Sequence, residues 1–523
     1  MLQHKKVAIV LTRIDNYAYY IYIFDLIEKL QKSGVIVSVV DVNCGSMITS
    51  NIIPTKMNKV RREKMKNRSE EYRKLFLNLI LHKTNLEVLH INLEYLNYIK
   101  RMPGDSLHEL LTIAGISQIA QKSIESICST HITKTSDKKA RLSRYQIGTI
   151  TNLIALNQEI CEKFLVLLKA NLWDGVVILN GRVPDQSAVI EACQLRNTQW
   201  YSLEHGATVG EQYHIQDFQI QDNGRFQQFF WDNSKALEAP IKESFLNAAN
   251  DWINTRIQIP PTFGSPIYSQ GEDYFQNNTN RVAIFTSSLS EFDLYNPTPN
   301  GPDQILSICQ VVETFLKRKN SDIVVRIHPN QINYAPRDLK RIVSSLSKYQ
   351  IKIIFPWEAD SSYEIASQAD IRIFWDSTLG FETLVRFGSP VYILSSSFYD
   401  TLNGVRLLKM DESLELVRSE PLPQLDLDTA KIYLYFRYFG HGEKVEIHET
   451  ILNLAENLEK IRDLHKISSK NRLLALLDYG ISLLVQIFFR HASLLTYFEI
   501  LSLLMGKKYA RKFLTFLFLL GRR

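Results

Sequence analysis

Ser377, Thr378 and Glu382 stand where an apolar run, Ile371-Arg372-Ile373-Phe374-Trp375, gives way to a helical pattern. The spacing predicts a strand, a Ser-Thr-Leu-Gly turn and a helix beginning at Phe381. Backbone N–H groups without intrahelical acceptors and the positive end of the helix dipole attract anions at such a start. The two hydroxyls add donors. Glu382, four residues after Thr378, falls on the same side of the helix start and can accept hydrogen bonds from ribose hydroxyls. His328, followed by Pro329, can donate a ring N–H to a phosphate and helps most when protonated. Arg326, two residues earlier, projects to the same side of its strand and adds positive charge. Ser287 and Ser288 follow a further apolar run, Arg281–Phe285. Each of these alone is an ordinary cap, strand end or early-helix acid. Their recurrence at successive strand ends points to a site for phosphate and ribose.

A second set lies nearer the amino terminus. Asn180-Gly181-Arg182 follows the run Val176-Val177-Ile178-Leu179, and Glu204-His205-Gly206 follows Gln199–Leu203. His205, in a Gly-bounded loop, is the candidate general base; Glu204 is its rival or the residue that orients it. Asn180 and Arg182 are candidate contacts to an acceptor or donor sugar. Asp426-Leu427-Asp428 has D-x-D spacing but sits in a Pro-flanked stretch outside the sheet pattern. No metal and no cofactor are therefore expected, and charge stabilisation would fall to His328, Arg326 and helix dipoles.

The elements that must position these residues read as two α/β domains. Val7–Leu11, a helical segment Tyr17–Lys32 and Val35–Val40 open a doubly wound domain. No G-x-G-x-x-G accompanies them, so nothing argues for a dinucleotide. From Leu75 to Leu168 the pattern is mostly helical. Strands at Asp174–Leu179 and Gln199–Leu203 resume the sheet, and both loops beyond them should face one crevice. This domain is expected over 1–258, with a helical insertion at about 55–170. Ile259-Pro260-Pro261-Thr262-Phe263-Gly264-Ser265-Pro266 marks a linker, 259–280. A second doubly wound domain, 281–420, carries strands ending at Ser287-Ser288, His328-Pro329, Phe355-Pro356 and Ser377-Thr378. A helical return, 421–469, and a C-terminal helical extension, 470–523, complete the chain.

The whole chain of 523 residues is too long for one core. Its 45% hydrophobic and 22% charged content is that of an ordinary folded protein. Five cysteines with no C-x-x-C pair fit a reducing cytoplasm better than a disulfide framework or a zinc site. No secretory signal is visible, because Val7–Leu11 is short and runs into Arg13 and Asp15. Segment 470–523 holds nine Lys/Arg against Asp478 and Glu499, so the chain's net +6 is a property of that tail. No nucleic-acid module is recognisable, and no nucleic-acid partner is expected. The tail's apolar segments, punctuated by Lys and Arg, suit helices lying on an anionic membrane surface. The basic stretch Lys56–Lys74 reads as a solvated helix face or as an acceptor- or membrane-facing patch.

Several of these motifs carry a family resemblance. Arg326-Ile327-His328-Pro329, Asp360-Ser361-Ser362-Tyr363, Ser377-Thr378-Leu379-Gly380-Phe381-Glu382 and Gly388-Ser389-Pro390-Val391 resemble the nucleotide-binding half of GT-B glycosyltransferases. The likeness is to enzymes of bacterial capsule and surface-polysaccharide synthesis, with Kdo-transferring, glycerophosphate-transferring and CMP-sialic-acid-using relatives. Asn180-Gly181-Arg182 and Glu204-His205-Gly206 are similar to loops in the first domain of the capsule group. The resemblance implies a GT-B-like fold, two Rossmann-like domains facing a cleft, and a nucleotide-sugar donor. It also implies a polysaccharide or lipid-linked acceptor and a cytoplasmic enzyme peripherally bound to the inner face of the plasma membrane. By analogy with the glycerophosphate-transferring relatives, the base falls on His205. Nucleotide-sugar 2-epimerases share the fold, the His-Pro element and the helical Glu, and stand as an alternative. A non-catalytic scaffold of a polysaccharide assembly complex is another.

Overall fold

The computed structural model describes residues 6–12, 18–43, 70–81, 86–93, 102–128, 132, 138–139, 141–181, 183–206, 212–219, 222–256, 273–276, 280–287, 303–317, 321–329, 336–356, 358, 360–408, 425–439 and 443–444. Arg182, Ser288, the linker motif 259–266 and the tail 470–523 lie outside the described residues, as does most of the basic stretch 56–74. Contacts divide the chain into two compact units: one of 1–133, 137–222 and 436–467, the other chiefly of 223–435. The sequence expectation carries the first domain to 258, whereas the helices Asn223–Ser234 and Ala239–Arg256 group with the second unit. Gln227 shows why: its side-chain amide donates to the carbonyls of Ser397 and Phe398 and to Asp400.

The first unit is built on a seven-stranded sheet of order β13-β6-β5-β4-β1-β2-β3. Its strands are β1 (Lys6–Leu11), β2 (Ile36–Asn43), β3 (Glu87–Asn92), β4 (Gly175–Leu179), β5 (Gln199–His205), β6 (Gln212–Gln216) and β13 (Glu443–Lys444). The five from β3 to β5 run parallel, with β6 antiparallel to β5. Central β1 shows why it is apolar from Val7 onward. Ile9 and Leu11 enter a core with Tyr20, Phe24 and Phe76, while Ala8 and Val10 enter one with Phe164, Trp173 and Val189. Helices thus cover both faces, as a parallel sheet requires.

β3 and β6 depart from the sequence expectation. β3 sits inside the stretch read as helical; at the sheet edge its Val88 and Leu89 are half-buried and its Glu87 and His90 exposed, which blurs any period-2 signal. β6, Gln-Tyr-His-Ile-Gln, is a polar strand whose His214 and Gln216 are nevertheless buried.

The second unit has six parallel strands in the order β12-β11-β10-β7-β8-β9. They are β7 (Arg281–Phe285), β8 (Asp322–Arg326), β9 (Lys352–Ile354), β10 (Ile371–Phe374), β11 (Val391–Ile393) and β12 (Val405–Leu407). Val282, Ile284, Val325 and Ile373 pack under the helices Gln304–Leu316 and Pro336–Leu346. The molecule is therefore α/β with two Rossmann-like doubly wound sheets. Strand order reverses between β1 and β4 in the first sheet and between β7 and β10 in the second. Open α/β sheets bind ligands beyond the strand ends at such points.

Candidate functional site

β9, β8, β7 and β10 are consecutive neighbours, so Phe355, His328, Ser287 and Ser377 come together at one sheet edge. Two of the expected contacts are engaged in holding that edge. Ser287 is fully buried; its hydroxyl donates to the Asp376 carbonyl and accepts from the Asp376 N–H at 3.3 Å, tying the ends of β7 and β10. Arg326 is 2% exposed and donates to the carbonyls of Phe355 and, at 3.2 Å, of Glu358. Its guanidinium shapes the 355–358 turn, where the Glu358 carboxylate also accepts the Phe355 N–H at 2.6 Å.

His328 follows β8, and its backbone N–H donates to Thr286 Oγ1 at 2.8 Å. Burial, with the Arg326 charge adding to it, pushes the imidazole down to about 4. The free ring is therefore neutral at pH 7 and not in the protonated form in which it would help most. A neutral ring still donates one N–H.

The helix beyond β10 starts earlier than the sequence suggests. It spans Thr378–Phe387, with Ser377 as N-cap accepting the Leu379 N–H at 3.2 Å. Thr378, Leu379 and Gly380 therefore form its first turn and are not a separate loop. A capping hydroxyl explains the early start. Glu382 keeps its place on the Thr378 side, one turn on. It is 7% exposed and accepts from the Tyr363 hydroxyl. The Arg386 guanidinium lies 5.4 Å from the Tyr363 ring centroid. Tyr363, named in sequence only as the end of the Asp360–Tyr363 motif, thus joins the candidate site; its contact with Glu382 is not readable from local sequence because it comes from the preceding helix, Ser362–Gln368.

In the first unit, register aligns residues far apart in sequence. Val10 pairs with Ile178, Leu179 with Leu203, and Glu204 with His214. Continued past the strand ends, this places Thr12, Asn180, Glu204 and His214 in one row across β1, β4, β5 and β6. Glu204 is 7% exposed. Its Oε1 accepts from the Tyr19 hydroxyl at 2.5 Å, and its Oε2 from the Asn180 side-chain amide. Asn180, expected against a sugar, thus turns its amide to the carboxylate. His205 ends β5 opposite Tyr213; its side chain lies outside the described set.

Asp185, at the start of the helix Pro184–Leu195, is a buried acid that no sequence motif singles out. Burial pushes its carboxyl up to about 6, against the N–H groups of Asp185 and Gln186 and the Thr12 hydroxyl. Gln186 also donates to Thr12 Oγ1 at 3.1 Å. Its position in a helix start after Pro184 reads as an ordinary first-turn acid. Asp426 is a helix cap, accepting the Thr429 N–H at 3.1 Å.

No family model matches the chain, and no curated protein does. Solved structures that the chain matches include UDP-GlcNAc 2-epimerase from Neisseria meningitidis bound to UDP-GlcNAc. It is 13% identical, with 87% of this chain and 100% of that one covered and a TM-score of 0.30. MurG of Acinetobacter baumannii is 10% identical, with coverages of 87% and 99% and a TM-score of 0.26. A glycosyltransferase from Rickettsia africae ESF-5 is 10% identical, with coverages of 89% and 100% and a TM-score of 0.24.

Proposed function

We propose that the protein is a GT-B-type glycosyltransferase that moves a sugar from a nucleotide-activated donor to a cell-surface polysaccharide or glycolipid acceptor, without a metal ion. The observation that supports this most is the edge of the second sheet. A neutral His328, a Ser377-capped helix start and a buried, Tyr363-held Glu382 occur together there. An anion is accommodated by the helix start, and the Glu382 carboxylate one turn further on accepts ribose hydroxyls. In the reaction, the acceptor hydroxyl oxygen bonds to the anomeric carbon while the bond from that carbon to the phosphate oxygen breaks. The nucleotide leaves with the electron pair, and the hydroxyl proton passes to His205 or Glu204. His328, Ser377 and Thr378 would hold the departing phosphate.

No helix among the described residues is long and apolar enough to cross a membrane. The proposal also includes attachment of 470–523, whose apolar segments are punctuated by Lys and Arg, to an anionic membrane surface. The test is a thermal-shift panel of CMP, CDP, UDP and GDP on the wild type, His328→Ala and Glu382→Ala. One nucleotide should stabilise the wild type and neither variant. Binding unchanged in both variants, or no shift with any nucleotide, overturns the assignment.

A further inference from the structure

Within that reading, we propose that Tyr19 and Asn180 are positioning residues for Glu204, holding its carboxylate at the carboxyl edge of the first sheet for the transfer step. Three observations converge on this. Each carboxylate oxygen takes one of the two donors, so the plane of the group is fixed and not merely its location. The donors come from opposite sides of the sheet's switch point: Tyr19 from the helix Ala18–Lys32 that follows β1, and Asn180 from the end of β4.

The backbone at Asn180 is the third observation. It is left-handed, at φ 49°, a conformation that non-glycine residues adopt at a cost but Asn tolerates best. Its own N–H donates to the Leu203 carbonyl at 2.9 Å, and its carbonyl accepts the Ser202 hydroxyl at 3.3 Å. Gly181 follows at φ 77°, where an added β-carbon would lie 2.6 Å from Ile190 Cδ1 and 2.9 Å from Gln219 Nε2. Two successive left-handed residues reverse the chain immediately after β4, and β5 pins the turn. That geometry aims the Asn180 amide at Glu204. Backbone kept in costly regions concentrates where a side chain must be aimed.

Tyr19→Phe isolates the effect, since the ring keeps its edge contact with Tyr22, centroids 5.8 Å apart, and loses only the hydroxyl. The assay is nucleotide release from UDP-glucose, UDP-N-acetylglucosamine, CMP-Kdo and CMP-N-acetylneuraminate, with isolated cell-envelope glycolipid as acceptor. Tyr19→Phe and Asn180→Ala should each lower kcat by about tenfold while KM for the donor holds, the signature of a group acting only in the transition state. Glu204→Gln should lower kcat by at least about 100-fold. Adding Tyr19→Phe to Glu204→Gln should then cost nothing more, because the two residues act as one unit. Two results overturn the positioning role: full kcat in Tyr19→Phe with only a lower Tm, or losses that multiply in the double variant. Absence of turnover by the wild type with every donor overturns instead the transferase reading on which this inference rests.

Discussion

Tyr399 hangs its hydroxyl over Gly380 and donates it to the carbonyl of Ser377, at 3.1 Å, so the first turn of the helix Thr378–Phe387 is clamped from above. A β-carbon at Gly380 would collide with that hydroxyl and would lie 2.9 Å from Phe374 Cγ. Gly380→Ala should therefore destabilise the second unit by about 1–3 kcal/mol, the usual cost of overpacking. It should also weaken nucleotide binding, because the turn that carries Ser377 and Thr378 must shift. Urea unfolding and the nucleotide thermal shift check the two effects separately.

Asp185 gives stability a pH dependence of defined sign. Its folded carboxyl, pushed up to about 6 from 3.8, keeps a proton that the unfolded chain releases. Its contribution is therefore least unfavourable below 3.8, and stability is lost as pH rises towards 6. Above that the loss is complete, at up to about 3 kcal/mol. Asp185→Asn removes the titration. Relative to the wild type, the variant should gain stability between pH 4 and pH 7, measured by urea unfolding at both values. A gap between the two proteins that does not change with pH contradicts this.

His328 should take up a proton when a nucleotide sugar binds. The free ring, pushed down to about 4, is neutral at pH 7, and a diphosphate beside it favours the charged form. Calorimetric titration in buffers of different ionisation enthalpy should show uptake that grows as pH falls from 8 to 6. His328→Gln keeps a side-chain donor and should show none.

Tyr363→Phe deletes the hydroxyl that Glu382 accepts. A buried carboxylate that loses a donor costs roughly 1–3 kcal/mol, and here the cost should appear in nucleotide affinity, weakened about tenfold, because Glu382 loses its orientation. Uridine or cytidine nucleotides should be affected more than inorganic phosphate in a competition assay.

Arg326→Lys keeps the charge but cannot bridge two carbonyls in a fixed fork. With Arg326 2% exposed and bound to Phe355 and Glu358, the variant should lose about 2 kcal/mol of stability. Differential scanning fluorimetry checks this. An Arg that served only a ligand would leave the unliganded Tm unchanged.

The parallel strands were legible because they are buried on both faces: Val7–Leu11, Arg281–Phe285 and Asp322–Arg326 are nearly continuous apolar runs. Glu87–Asn92 and Gln212–Gln216 were not, since an edge strand and a polar antiparallel strand carry neither a clean alternation nor a run. At the candidate site, sequence picked out strand-end residues but could not distinguish those that hold the edge from those that face outward. Ser287 and Arg326 resemble phosphate ligands by type, yet the Ser287 hydroxyl donates to Asp376 and the Arg326 guanidinium, buried, donates to Phe355 and Glu358. Tyr19 and Tyr363 reach their carboxylates over 185 and 19 residues of chain, a relation no local pattern contains.

The outermost strand of the first sheet has a consequence for how the protein is made. Glu443-Lys444 pairs with Tyr213 and Gln212 in β6 only after residues 223–435, the bulk of the second unit, have been synthesised. Until then a ribosome-bound chain displays β6 as an open sheet edge, ready to pair with a neighbouring chain. The second unit, contiguous over that span, is free to fold before β13 is added. A fragment ending at 222 would keep the edge open permanently and should aggregate where the whole chain does not.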